Sequence, residues 1–123
     1  MTWYAAHVIE AIRPIRQKVR DVLVFENIIL IEASNEKEAL AKAKKHAAES
    51  IVEDDSLTID GEKATACFVG VRKLMTVSNP CPLNQEDDQP VSGTEVSYSK
   101  FKIKNSDLKK FAKGNPIMIE YLE

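Results

Sequence analysis

The sequence has few cysteines, few histidines and no run of 18 apolar residues, and each scarcity excludes a class of protein. Two cysteines, with no basic leader before an apolar stretch at the N-terminus, argue against a disulfide-rich secreted protein. They predict reduced thiols and a cytoplasmic location. Without a long apolar run, nothing in the chain is expected to span a bilayer. The formal net charge of −2 gives no overall field, so we expect neither a membrane nor a nucleic-acid partner.

The sequence also lacks the motifs that mark common active sites. It contains no glycine-rich phosphate loop, no CxxC pair and no GxSxG turn. The acidic stretch around Asp60-Gly61 resembles part of a calcium-binding loop, but the residue six after Gly61 is Cys67 and not a bidentate glutamate. His7 and His46 are far apart in the chain, and two histidines alone do not indicate a site. We therefore expect no catalytic residue, no cofactor and no metal site.

A strand, a helix cap and a helix follow one another in the first half of the chain. Apolar side chains alternate on both faces of Asp21–Ala33, which predicts a central strand that is covered on both sides. Asn35 and Glu38 have the spacing of a capping box, which predicts a helix over residues 35–49. The apolar stripe of this helix is mostly alanine. We therefore expect Leu40, its one large side chain, to anchor the helix on the sheet.

The rest of the chain predicts further strands and one long loop. Asp60-Gly61 is a turn signal and predicts a hairpin. Other strands are expected at residues 3–12, 62–77, 94–104 and 116–122, and a short helix at residues 107–113. The proline-rich, acidic segment 78–93 predicts a mobile loop. The elements together predict one domain, residues 1–123, with an α+β fold: a mostly antiparallel, twisted sheet of about five strands, one main helix packed on one face and a short C-terminal helix.

Two basic clusters interrupt an otherwise balanced charge pattern. Seven of their residues are candidates for contact with an anion or an acidic protein partner: Arg13, Arg16, Lys18, Arg20, Lys100, Lys102 and Lys104. The alternative is that lysines on an edge strand discourage sheets from aggregating edge to edge. The slightly acidic net charge favours this second interpretation.

The order of the motifs resembles a known family. Trp3-Tyr4 in the first strand is followed by FENIILIEASNEKEALAKA, then by GEKATACFVGVRKL and finally by GTEVSYSKF. In this order the chain, over about residues 2–102, resembles the bacterial family catalogued as "domain of unknown function 4288". The resemblance implies a shared fold. It implies no activity and transfers no catalytic residue, because the family carries none.

The function that we expect from the sequence is non-enzymatic. The chain is interpreted as a small cytosolic interaction module that binds a protein partner or itself. The alternative is a small-molecule or anion-binding protein, with enzymatic activity left open, that uses a pocket between the sheet and the loop. A homodimer is expected because one face of the second strand lacks a large helix to cover it; that face carries Val22, Val24, Ile28 and Leu30. The alternative is that the C-terminal segment or the loop 78–93 folds over that face.

Overall fold

The computed structural model describes residues 1–16, 18, 20–51 and 57–123. Part of the acidic stretch before Asp60 lies outside these residues, and so do two positions of the basic segment 13–20. No helix in the described ranges is long and apolar enough to cross a membrane.

The fold is α+β, as predicted, and its core is a curled antiparallel sheet with one main helix. The sheet consists of β1 (Thr2–Pro14), β2 (Leu23–Ala33), β3 (Thr58–Ile59) and β4 (Glu62–Thr76), in the spatial order β2-β1-β4-β3. The helix α1 (Glu36–Ser50) contacts β1, β2 and β4. A separate small sheet pairs β5 (Phe101–Lys102) with β6 (Glu120–Tyr121), and α2 (Leu108–Ala112) lies between them in the chain. The sequence predicted one sheet of about five strands. The structure instead has a four-stranded sheet and a separate two-stranded sheet.

The central strand is β1, so the prediction that the second strand is central was wrong. β1 pairs with β2 along one edge and with β4 along the other, and Ala5, Ala6 and Ala11 on it are fully or almost fully buried. β2 lies at the edge, with β1 as its only neighbour among the described residues. Apolar side chains on both faces are typical of a central strand, but they do not reveal whether a second partner strand exists.

The helix α1 begins at the predicted cap. The side chain of Asn35 accepts a hydrogen bond from the backbone N–H of Glu38 at 2.8 Å, and the Glu38 carboxylate accepts one from the Ser34 N–H. The helix packs on the sheet through alanines; the fully or almost fully buried ones are Ala39, Ala43 and Ala47. Leu40 is only partly buried, so the expectation that it anchors the helix was wrong. The small alanine side chains let the helix approach closely, which leaves a larger side chain at the margin of the contact.

β4 carries two bulges where it pairs with β1. His7 pairs with Lys73 but Val8 pairs with Val71, so Arg72 has no opposite residue. Val69 is skipped in the same way between Gly70 and Phe68. A bulge turns the extra side chain away from the regular alternation of the strand. At Arg72 the bulge changes the direction of the side chain, which contacts Glu26 of β2.

The predicted turn at Asp60-Gly61 is confirmed. It joins β3 to β4 with two central residues, whose φ angles are 51° for Asp60 and 81° for Gly61. Positive φ at both central positions is the type I′ geometry that matches the twist of a hairpin. Asp tolerates the left-handed region and Gly adopts it without a steric cost.

After β4 the chain forms a loop and then returns over the sheet. Ser78 and Glu95 form an isolated antiparallel bridge that closes the loop. Inside the loop, the buried side chain of Asn79 donates to the Asp88 carbonyl at 3.1 Å and accepts from the Thr94 hydroxyl at 2.7 Å. These bonds give the segment 78–93 a defined path. Its predicted mobility stays a prediction.

The predicted strand at residues 94–104 mostly lacks regular secondary structure, and only β5 within it forms a ladder. We call residues 94–102 the covering segment. Its end is held by aromatic contacts: the ring of Phe101 meets those of Phe111 and Tyr121 edge to face, at centroid distances of 5.2 and 4.9 Å. Such pairs stabilise a small cluster beyond the area that they bury.

Candidate functional site

A buried histidine lies in the middle of the sheet, on the face opposite to α1. The helix-side core contains Tyr4 and Ala6 of β1, so strand alternation turns His7 to the other face. His7 is 1% exposed, and no larger side chain among the described residues is as deeply buried. A polar ring at such a depth needs hydrogen-bond partners on both nitrogens.

His7 has a partner at each nitrogen. Nδ1 lies 3.0 Å from Oε1 of Glu26, on β2, and Nε2 is hydrogen-bonded to Oγ of Ser97, in the covering segment. With Glu26 ionised, one tautomer satisfies both contacts: Nδ1–H donates to the carboxylate, and Nε2 accepts from the serine hydroxyl. The serine, imidazole and carboxylate therefore form a hydrogen-bonded chain across three parts of the sequence.

Arg72 completes this cluster from the bulge in β4. Its Nε donates to the same Glu26 oxygen at 2.7 Å, so the carboxylate lies between a guanidinium and an imidazole. Burial acts to raise the pKa of Glu26, but the hydrogen bonds from Arg72 and His7 outweigh it and lower that pKa. Glu26 is therefore ionised at neutral pH.

His7 itself is held neutral. Burial is the largest influence and lowers the pKa of His7 below 6.5, against the hydrogen bond to Glu26, which raises it. The positive charges of Lys73 and Arg72 lower it further. A neutral imidazole with a free Nε2 lone pair is the form that can accept the serine proton.

On the His7 side of the sheet, side chains of β4 also hold the covering segment in place. Beside the His7–Ser97 bond, the Lys73 ammonium donates to the backbone carbonyl of Tyr98 and lies 5.5 Å from the centre of its ring. The Arg72 guanidinium lies 5.2 Å from the centre of the Tyr121 ring. Together these contacts hold the C-terminal part over β1 and β4, while Val24, Ile28 and Leu30 on the same face of β2 stay exposed.

The uncovered edge of β2 is the second candidate site. Its exposed apolar side chains, with those of the residue before it, are between 40% and 51% exposed; they are Val22, Leu23, Val24, Phe25, Ile28 and Leu30. The strand pairs with β1 in unbroken register over its 11 residues. The strand itself contains no lysine and no proline, which are usual protections of an edge; near its end, Lys42 of α1 donates to the Glu32 carbonyl at 2.8 Å.

The predicted basic residues all lie at the surface. Arg13, Arg16, Lys18, Arg20, Lys100, Lys102 and Lys104 are exposed, and none of them forms an ion pair with another described residue. Arg13 is near the end of β1, the next three lie between β1 and β2, and the last three lie in and around β5. Lys102 faces Glu120 across the small sheet. No described contact joins the two clusters.

The polar cluster around His7 was not predicted from the sequence. Its four members come from β1, β2, β4 and the covering segment, up to 90 residues apart in the chain. One signal was present: His7 sits in the apolar run of the first strand, where a polar ring has to find partners inside the fold. Cys67 is partly buried, with Sγ 3.6 Å from the Ala11 carbonyl oxygen. Cys81 is an exposed free thiol.

The architecture defines the class of protein as an α+β domain with a curled antiparallel sheet and a single main helix. The family described as "Domain of unknown function (DUF4288)" matches residues 3–96, which is most of the chain. The chain belongs to this family, as its motifs indicated. The match includes β1, β2, α1 and β4 and ends beside Ser97. No curated protein and no solved structure matches the chain.

Proposed function

We propose that this protein is an interaction module that binds a second copy of itself through the edge of β2. The observation that carries the proposal is the edge itself: 11 residues in regular β conformation, paired on one side, with exposed apolar side chains on both faces. Such an edge presents unpaired N–H and C=O groups together with apolar surface, and both are satisfied by another strand.

A second copy of the chain is the simplest partner, because its edge strand is identical and no other protein is required. An antiparallel pair of identical edge strands closes under a two-fold axis, so each copy uses the same surface. The resulting sheet would contain both copies of β2 as central strands. In that setting the apolar residues on both faces of β2 gain neighbours, which accounts for the central-strand pattern of its sequence.

The mass of the protein in solution tests the proposal. At a concentration on the order of 100 µM, which saturates a dimer with a dissociation constant on the order of 1 µM, light scattering should give twice the chain mass of 13.8 kDa. Ile28→Lys should give the monomer mass, because it places a charge at the middle of the pairing edge. Val69→Lys is the matched control: Val69 is 55% exposed and lies on β4, beyond β1, so the dimer should persist.

A monomeric wild-type protein at that concentration would contradict the proposal. So would a dimer that Ile28→Lys leaves intact while Val69→Lys dissociates it, because the interface would then lie elsewhere. Circular dichroism of both variants confirms that each is folded before its mass is interpreted.

The Ser97–His7–Glu26 chain favours a second candidate function, acyl transfer or hydrolysis at Ser97. The order of atoms, hydroxyl to Nε2 and Nδ1–H to carboxylate, is that of an activated serine. The function ranks second because catalysis also needs donors aimed at the oxyanion. The nearby Lys73 ammonium is already bonded to the Tyr98 carbonyl.

A fluorophosphonate probe tests the second candidate. If Ser97 is activated, intact-mass analysis should show one adduct per chain, which is lost in Ser97→Ala and kept in Ser99→Ala. His7→Gln should slow the labelling by at least about 100-fold, because the serine loses its base. An unlabelled wild-type protein would rule out an activated serine and leave the hydrogen-bonded chain with a structural role.

A further inference from the structure

We infer that two copies pair antiparallel along β2 about a two-fold axis at Ile28, with the basic segment before β2 of one copy against the acidic first turn of α1 of the other. This inference rests on the proposed self-association and specifies its geometry. It brings together two features that the fold leaves unexplained: the apolar edge and the unpaired basic residues beside it.

The axis position follows from the length of the strand. β2 runs from Leu23 to Ala33, and Ile28 is its midpoint, so pairing about Ile28 uses every residue of the strand. Ile28 then faces Ile28 of the second copy, a β-branched pair that stabilises neighbouring strands. On the helix side of the sheet, Phe25 faces Ile31 of the second copy. These contacts cover Ile28 and Phe25, which the single chain leaves about half exposed, whereas Ile31 is already buried in the core.

Two of the neighbouring registers are disfavoured by the acids in the strand, and a third, with its axis at Asn27, leaves Glu32 and Ala33 opposite residues that lie outside β2. An axis at Glu26 would place this carboxylate opposite itself, and an axis at Ile29 would place Glu26 opposite Glu32. Like charges directly opposite each other destabilise a strand pair. An axis at Leu30 would leave the apolar residues Leu23–Phe25 outside the ladder. About Ile28, each glutamate faces an apolar residue, Leu30 or Val24 of the second copy.

The charges that flank β2 are complementary under the same axis. In an antiparallel two-fold pair, the chain entering one strand lies beside the chain leaving the other. Arg20 lies three residues before Leu23, and Glu36 lies three residues after Ala33, so they are equally far from Ile28. Both are exposed, and neither forms an ion pair with another described residue. Lys18 and Glu38 lie two positions further along each flank and also carry opposite charges, although Glu38 already forms an ion pair with Lys42 at 3.0 Å.

The helix dipole does not itself attract Arg20, because its N-terminal end is positive; the attraction comes from the acidic side chains in the first turn. Glu36 and Glu38 lie in the first turn of α1, where acidic residues stabilise the helix and also concentrate negative charge. Arg20 of the second copy would meet this charge at the surface, where each ion pair contributes little. Two symmetric contacts of this kind select the register and orientation, while the apolar strand supplies the affinity.

Cysteine cross-linking tests the axis. In a background with Cys67→Ser and Cys81→Ser, Ile28→Cys should form a disulfide-linked dimer under mild oxidation, because the two sulfurs meet on the axis. Leu30→Cys is the matched control, on the same face and similarly exposed. Its two copies would be separated by about four residues along the strand, or about 13 Å. It should give little linked dimer.

Charge reversal tests the proposed contact between Arg20 of one copy and Glu36 of the other. Arg20→Glu or Glu36→Arg alone should raise the dimer dissociation constant at low salt by at least about threefold. The double variant should return it to within about twofold of the wild type. The effect should disappear at an ionic strength of about 1 M, where the screening length is about 3 Å. All three proteins change exposed residues only, so circular dichroism should show an unchanged fold.

The outcomes separate this inference from the proposal on which it rests. A wild-type dimer that links through Leu30→Cys more readily than through Ile28→Cys would overturn the inferred axis, and self-association would stand. A dimer whose charge-reversed double variant is as weak as the singles would overturn the flank contact. A monomeric wild-type protein would overturn both the inference and the proposed function.

Discussion

Ala43→Asp is expected to lower the free energy of unfolding by at least about 3 kcal/mol, because it places a carboxylate where the helix meets the sheet. Ala43 is fully buried in the core cluster with Tyr4, Ala6 and Ile31. A carboxylate there has neither room nor a counter-charge. The group must either protonate or push α1 away from the sheet, and both responses cost stability.

The control for this variant is Ala41→Asp, two residues away on the exposed side of the same helix. It makes the same chemical change, and its cost should stay below about 1 kcal/mol, since only helix propensity differs. Chemical denaturation followed by circular dichroism measures both values. Equal losses in the two variants would show that the alanine stripe is not the contact between helix and sheet.

His7→Ala is expected to destabilise the fold by about 2–4 kcal/mol at neutral pH. The substitution removes the largest fully buried side chain of the described structure and leaves a cavity. It also removes a partner from both Ser97 and Glu26, and it detaches the covering segment from β1. His46→Ala is the matched control, because His46 is exposed on α1 and its loss should be nearly neutral.

The pH dependence of stability distinguishes the buried histidine from an ordinary one. The pKa of His7 is lowered in the fold, so below about pH 6.5 the unfolded chain binds a proton that the folded chain resists. Stability should therefore fall as the pH drops through this range, until the folded His7 itself protonates. His7→Ala should lose this acid-side decline and His46→Ala should keep it. The lowered pKa of Glu26 adds a further loss only below about pH 4.5.

The local part of the fold could be predicted from the sequence. The Asn35–Glu38 cap, the alanine stripe of α1 and the turn at Asp60-Gly61 depend on residues that are close in the chain. Their signals are backbone hydrogen bonds, small side chains and positive φ, and each is readable within a few positions. The family resemblance was confirmed over residues 3–96.

The strand order and the polar cluster could not be predicted in this way. Whether β2 is central or at the edge depends on whether a second strand pairs with it, and its own alternation of side chains carries no information about that. His7 meets Glu26 and Ser97 only because β1 lies between β2 and β4 and the chain returns over them. The bulge that aims Arg72 at Glu26 depends on the register between two strands and has no signature in either one.

Amide hydrogen exchange along β2, measured at low and at high protein concentration, tests the central claim most directly. In an edge strand, alternate N–H groups point away from β1 and exchange freely, whereas pairing with a second copy protects all of them. We predict that the outward-pointing amides of Leu23–Ala33 become protected as the concentration rises, while β4 amides are unchanged. If those amides exchange freely at every concentration while the inward-pointing ones stay protected, the edge of β2 binds no second copy.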